Sequence, residues 1–232
     1  MKLRMGAIAA FGIGSFVLLA AAAALRATQP ARKIEPDADE KGDRPNTPAK
    51  LSLTGLACAF GTGMGVALGF RLMLVFFPQL MVARGAEVAT VSLLSGCIFL
   101  ALTVMALPAG ALAARLGNRI AMLVGLGAMA VLMLALTWTS STIAIAVIAL
   151  LWGGAFSLVA NGTIPFALSL VPPARAGLGT GIYFSGGAVA MSIFGRTFGL
   201  GAIAPSASII SGAIACGLAA TCIAATYRLK QS

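Results

Sequence analysis

The groups that carry acid–base, nucleophilic or metal chemistry are scarce in this chain, and those present stand where they cannot cooperate. None of the 232 residues is histidine, which removes the commonest metal ligand and the commonest general base. The six carboxylates, Glu35, Asp37, Asp39, Glu40, Asp43 and Glu87, all fall in a polar linker or at the end of an apolar stretch. No acid pair inside an apolar segment, and no nucleophile with a base nearby, can be assembled from them. Cys58, Cys97, Cys216 and Cys222 lie inside apolar stretches, without paired spacing or a neighbouring histidine. They read as small packing residues, not as a disulfide framework or a metal site. The run Gly-Thr-Gly-Met-Gly from Gly61 to Gly65 has the glycine density of a phosphate loop, but no Lys-Ser or Lys-Thr follows it and it sits within an apolar helix. The expectation is a protein that is not an enzyme and holds no metal and no cofactor.

What the apolar stretches do hold is a small set of groups that bind without transforming. Arg71 is the one clear ionisable residue inside a span, and such a residue is by default a functional hypothesis. It follows Lys50 by 21 residues, a rise of roughly 30 Å along a straight helix. That height suits snorkelling to an interface. The eleven mostly apolar residues from Leu72 to Val82 suggest that it is not yet out, and keep open beside snorkelling a position facing a cavity, where a guanidinium holds an anionic or hydroxylated solute. Ser157 and Asn161 are four apart and share a helix face, with Trp152 about one and a half turns earlier. They can contact a solute, or serve as interhelical hydrogen bonds worth about 0.6 kcal/mol. Tyr183 and Ser185, and Gln79 beside Pro78, are further polar groups of the same kind. Gly61, Gly65 and Gly69 repeat every four residues with Gly63 between them, a spacing that allows close helix packing or, with Pro78, bending.

These residues belong to seven long apolar stretches. The chain is 59% hydrophobic and 9% charged with a mean hydropathy of +1.00, against about 25% charged in an ordinary soluble domain. About 20 apolar residues cross a bilayer, and spans are expected at Met5–Leu25, Leu51–Val82, Val88–Leu112, Ile120–Trp138, Thr142–Pro165, Leu178–Phe198 and Ala204–Tyr227. The period-two alternation of a barrel is absent, so the expected fold is an all-α polytopic membrane protein. The net charge of +10 comes from basic residues at span ends, where they meet lipid headgroups. Nucleic acid is not an expected partner.

Lys2, Arg4, Arg84 and Arg196 fall on one side of the implied membrane. Arg26, Arg32, Lys33, Lys41, Arg44, Lys50, Arg115, Arg119, Arg175, Arg228 and Lys230 fall on the other. The richer side is placed in the cytoplasm, which puts the carboxy terminus inside and the amino terminus outside. Lys2 and Arg4 oppose that orientation for the first span. A cleaved signal peptide would account for them but would put residues 26–50 outside, against the charge bias. The reading adopted is that an upstream half precedes Met1. Residues 26–50, with Pro30, Pro36, Pro45, Pro48 and mixed charges, form a flexible solvated linker.

From that linker onward the chain resembles the carboxy-terminal half of a major facilitator superfamily transporter, preceded by the last span of the amino-terminal half. Six spans follow a polar loop. Between the second and third of them lies Gly110-Ala111-Leu112-Ala113-Ala114-Arg115-Leu116-Gly117-Asn118-Arg119, similar to the family's loop signature of Gly, Asp-Arg and Gly-Arg, with Ala114 where the best copies have Asp. Pro172-Pro173-Ala174-Arg175-Ala176-Gly177 precedes a glycine-rich span. The resemblance implies a first helix at 1–25, a cytoplasmic linker at 26–50, a six-helix half-transporter at 51–227 and a tail at 228–232. It implies transport of a small organic solute by alternating access across a plasma membrane, here a bacterial inner membrane. Arg71, Trp152, Ser157, Asn161 and Tyr183 would then be substrate contacts, with Gly110, Arg115, Gly117 and Arg119 as the gating loop motif. Its partners would be the lipid bilayer, the solute and a second six-helix half, supplied by a copy of the chain, a separate chain or upstream sequence. Any coupling carboxylate for proton-driven transport would have to come from that second half. The rival functions are a non-transporting membrane scaffold that helps assemble a complex and, opposed by the missing acid–base groups, an intramembrane enzyme.

Overall fold

In hydrocarbon a backbone has to hydrogen-bond to itself, and the described residues do so as helices. The protein is seen in a computed structural model that describes residues 52–198 and 203–228, apart from the side chains of Ala174, Tyr227 and Arg228. The span expected at 5–25 and the linker at 26–50 lie outside the described residues. The chain divides into units Met1–Pro48 and Ala49–Ser232, and all that follows concerns the second.

Among the described residues there are seven α-helices: α1 (Leu53–Ala83), α2 (Val88–Val104), α3 (Ala106–Leu116), α4 (Asn118–Trp138), α5 (Thr142–Leu168), α6 (Ala176–Thr197) and α7 (Pro205–Arg228). A 3₁₀ turn at Pro173–Arg175 leads into α6. Ser52 starts α1 by accepting the Gly55 amide on its hydroxyl at 3.2 Å, the usual role of an N-cap serine. Gly117, with φ 87°, is the lone residue between α3 and α4, in a conformation that a side chain would disfavour.

Five of the helices are long and apolar enough to cross a membrane singly, and α2 with α3 make a sixth span bent by 51°. The sequence placed one span over Val88–Leu112; the structure carries it to Leu116 in two pieces. Pro108 accounts for the break, because it offers no N–H to the Val104 carbonyl and its ring crowds that oxygen. The ladder runs up to the break with the Met105 amide on the Ala101 carbonyl at 2.9 Å and resumes with Ala109 on Met105 at 2.8 Å.

Helix α1 packs between α6 and α7, α4 packs against α5 and α7, and α5 also covers α2 and α3. The glycines of α1 face two neighbours. A Cβ on Gly61 would meet the Cys222 sulfur at 2.9 Å, one on Gly65 the Ala219 Cβ at 2.9 Å, and one on Gly69 the Gly212 carbonyl at 3.2 Å, all on α7. Gly63 faces the Tyr183 backbone of α6, and Gly186 of α6 returns the contact on Phe60 and Met64. The glycines thus serve close packing, and α1 runs unbroken through Pro78. Met73, Phe77, Met122, Met129, Met133, Trp152 and Phe166 fill the interior, with no exposed surface.

Candidate functional site

The two ends of α4 are held by arginines. At its carboxy end Arg84, just past α1, donates to the Thr139 carbonyl at 2.7 Å, the Thr137 carbonyl at 2.9 Å and the Leu136 carbonyl at 3.2 Å. The last turn of a helix leaves such carbonyls without partners and carries partial negative charge. At the amino end Arg119 donates to the Ser169 hydroxyl at 3.3 Å, where α5 stops, and to the Thr226 carbonyl of α7 at 3.5 Å. Arg115 stands exposed in the last turn of α3.

Half-way between these ends, α1, α5 and α6 enclose an open groove of about 310 Å³. Its walls are Gly63, Ala67 and Phe70 of α1, Phe156, Ala160 and Thr163 of α5, and Tyr183 and Gly187 of α6. The helix midpoints are Leu68, Ala155 and the Gly186–Gly187 pair, so the groove reaches mid-height at Phe70, Phe156 and Gly187 and runs from there toward Gly63, Thr163 and Tyr183. Gly63 and Gly187 serve the close approach of α1 and α6 along it: a Cβ on Gly63 would meet the Tyr183 backbone, and one on Gly187 the Ala67 Cβ at 3.5 Å. Phe70 and Phe156 stack with centroids 4.2 Å apart, and Trp152 extends the stack behind them at 6.0 and 5.8 Å. The groove's polar pair is the Tyr183 hydroxyl and the Thr163 hydroxyl, 3.3 Å apart. A larger recess of about 590 Å³ lies where α2 and α3 bend against α5, but its lining is apolar throughout.

The structure separates the residues that the sequence grouped. Tyr183 lines the groove. Trp152 is fully buried behind it, with no partner within hydrogen-bonding distance of its indole nitrogen. Ser157 is buried too, and its carbonyl accepts from the Asn161 amide at 2.9 Å. That same amide donates to the Ala106 carbonyl at 3.2 Å, across to the start of α3. Gly110 makes this approach possible, since a Cβ there would lie 3.3 Å from the Asn161 oxygen. Asn161 therefore joins α5 to the bent span beside the loop motif, and does not line the groove. Arg71 is exposed, with its guanidinium 5.2 Å over the Phe194 ring of α6. Ser185 turns back to the Gly181 carbonyl at 2.8 Å. Phe70, Phe156 and Thr163 were not singled out from the sequence, where a phenylalanine or threonine in an apolar run has no distinguishing signal; neither was Arg84, whose carbonyl partners lie more than 50 residues on. Among the described residues the four cysteines are free and no group of metal-ligating side chains occurs.

A sequence model described as Major Facilitator Superfamily matches residues 4–195 and, overlapping, residues 58–231. Among solved structures the chain is similar to the crystal structure of a mutant of the peptide transporter POT in complex with sulfate, with a TM-score of 0.62 at 18% identity. The match covers 75% of this chain and 37% of that one, so the chain spans well under half the length of its structural neighbour. At that identity the likeness speaks for the fold. No curated protein matches the chain.

Proposed function

The chain belongs to the major facilitator superfamily, and from that premise we propose that its described helices form one lobe of an alternating-access carrier for a small organic solute. Five apolar helices and a bent sixth span in a member of this family make it an integral membrane protein. The observation that carries the proposal is the mid-height groove of α1, α5 and α6. Carriers of this type bind their solute near the bilayer midplane, between two lobes that rock about it. The second lobe would be a copy of the chain, another chain or sequence upstream, and the groove would be this lobe's share of the path.

In this reading Tyr183 and Thr163 supply hydrogen bonds, and Phe70 and Phe156 supply an apolar wall stiffened by Trp152. Asn161 and Ser157 act on the other side of α5 and position the bent span. Arg119 and Gly117 keep the ends of α4, α5 and α7 together at the side that the charge bias assigns to the cytoplasm, so that the lobe moves as one body. Glu87 is the one acidic residue among those described, at the start of α2, so a proton-coupled cycle would take its carboxylate from the other lobe.

The test is flux in vesicles that contain the complete assembly, across a panel of sugars, amino compounds and organic acids. Saturable uptake or efflux of at least one solute is expected. Ala160→Trp, which fills the groove from an exposed position, is expected to lower it about tenfold or more at unchanged expression, since a site of this size has no spare room. Full flux in that variant, or no saturable flux for any solute, would overturn the proposal.

A further inference from the structure

Just beyond the groove's lining on α1 stands a cation, Arg71. Gly63, Ala67 and Arg71 follow one another at intervals of four on α1, so they share a stripe, and the first two line the groove. On α6 the matching stripe runs from Gly187 to Phe194, two turns or about 10 Å further along. Arg71 reaches from one stripe to the other, with its guanidinium carbon over the Phe194 ring at 5.2 Å from the centroid. Contact with the ring leaves its five N–H donors without a hydrogen-bond partner among the described residues. Arg84 directs its donors to the carbonyls of α4. No carboxylate meets Arg71 among the described residues, because Glu87 begins α2 beyond the far end of α1. An apolar wall, a hydroxyl pair and an uncompensated cation therefore follow one another along one surface.

We propose that this groove takes an amphipathic organic anion: a flat apolar body against Phe70 and Phe156, with its carboxylate or phosphate oxygens on Arg71. Low polarity along the walls strengthens the attraction of the guanidinium for an oxyanion and makes the same mouth repel organic cations, despite the aromatic rings inside. Arg71 lies one turn beyond Ala67 and Phe194 lies two turns beyond Gly187, so the cation stands about 6–10 Å along the helices from those groove residues, which suits a bicyclic aromatic acid and leaves a free inorganic anion without its apolar contacts. The inference rests on the carrier reading for the groove's use as a solute site. Its test measures binding, not flux, so the two can fail separately.

The full chain in nanodiscs of phosphatidylcholine is equilibrated by dialysis with 2-naphthoate, the neutral 2-naphthamide and the cationic 2-naphthylmethylammonium. The expected result is naphthoate bound about tenfold or more tighter than the other two, the worth of one charge-assisted hydrogen-bonded contact. Arg71→Gln is expected to bring naphthoate to the level of the amide, and Arg71→Lys to retain part of the preference. Equal affinities for the three probes, or binding of none of them, would overturn the proposal on the unaltered protein alone. An oxyanion on Arg71 could also come from an anionic lipid, so phosphatidylglycerol retained on purification is compared between the unaltered and Arg71→Gln proteins. Equal lipid with lost naphthoate preference supports a solute; lost lipid with unchanged naphthoate binding assigns the cation to a headgroup and overturns it.

Discussion

A guanidinium at the carboxy end of a helix satisfies carbonyls that the helix leaves unpaired, and Arg84 reaches three of them on α4 from a position just past α1. The bonds lie at the rim of the bundle and replace bonds to water, so their net worth is about 1–2 kcal/mol. Arg84→Ala is expected to lower the unfolding midpoint in detergent by about 2–8 °C, and Arg84→Lys, which offers a point charge and not a planar fork, by less. An unchanged midpoint in the alanine variant would mean that these bonds contribute nothing. In the sequence Arg84 was visible only as a charge that helps set orientation. Its structural use depends on carbonyls at Leu136, Thr137 and Thr139, and carbonyls carry no mark of residue type. Tyr183, by contrast, was readable because a phenol in an apolar span needs a partner; the partner, Thr163, was not.

Elements were more readable than contacts, because the length of hydrocarbon to be crossed selects helices whatever their neighbours are. The expected limits of the span at Leu51–Val82 differ from α1 by a residue or two, and α4, α5, α6 and α7 fall on the runs expected for them. The exception is the span bent at Met105, since Pro108 sits in an uninterrupted apolar run and hydropathy does not register a missing N–H. Glycine spacing was readable as a packing signal, although which helix each glycine meets was not. The α1–α7 register gives a direct check. A Cβ at residue 61 would lie 2.9 Å from the Cys222 sulfur, close to the roughly 3 Å between a Cβ and the far sulfur across an S–S bond of about 2.04 Å. With Cys58 replaced by alanine, Gly61→Cys is expected to form a link to Cys222 under mild oxidation, found by peptide mass spectrometry and missing from Gly61→Ala. A link to Cys216 instead, or none, would contradict the register.

At the scale of the whole molecule, every helix leaves large apolar side chains uncovered, and water, lipid and a second lobe are the candidates to cover them. The central claim is that the faces differ: the groove of α1, α5 and α6 looks onto a solute path, and the outer faces of α4 and α7 look onto lipid. Exposure alone does not separate them, since Ile164 and Phe184 at the groove are 52% and 57% exposed and Ile214 and Leu218 on α7 are both 59% exposed. Hydrophobicity does not separate them either, which is why the sequence could name the spans and leave the path open. Chemistry at the surface does separate them, because a thiol ionises and reacts with a charged reagent in water and not in hydrocarbon. The most direct measurement places single cysteines at Ile164, Phe184, Ile214 and Leu218 in an otherwise cysteine-free protein and exposes membranes to a charged, impermeant thiol reagent from either side. The account predicts labelling at the two groove positions and none at the two on α7; equal labelling of both pairs, or labelling confined to α7, would contradict it.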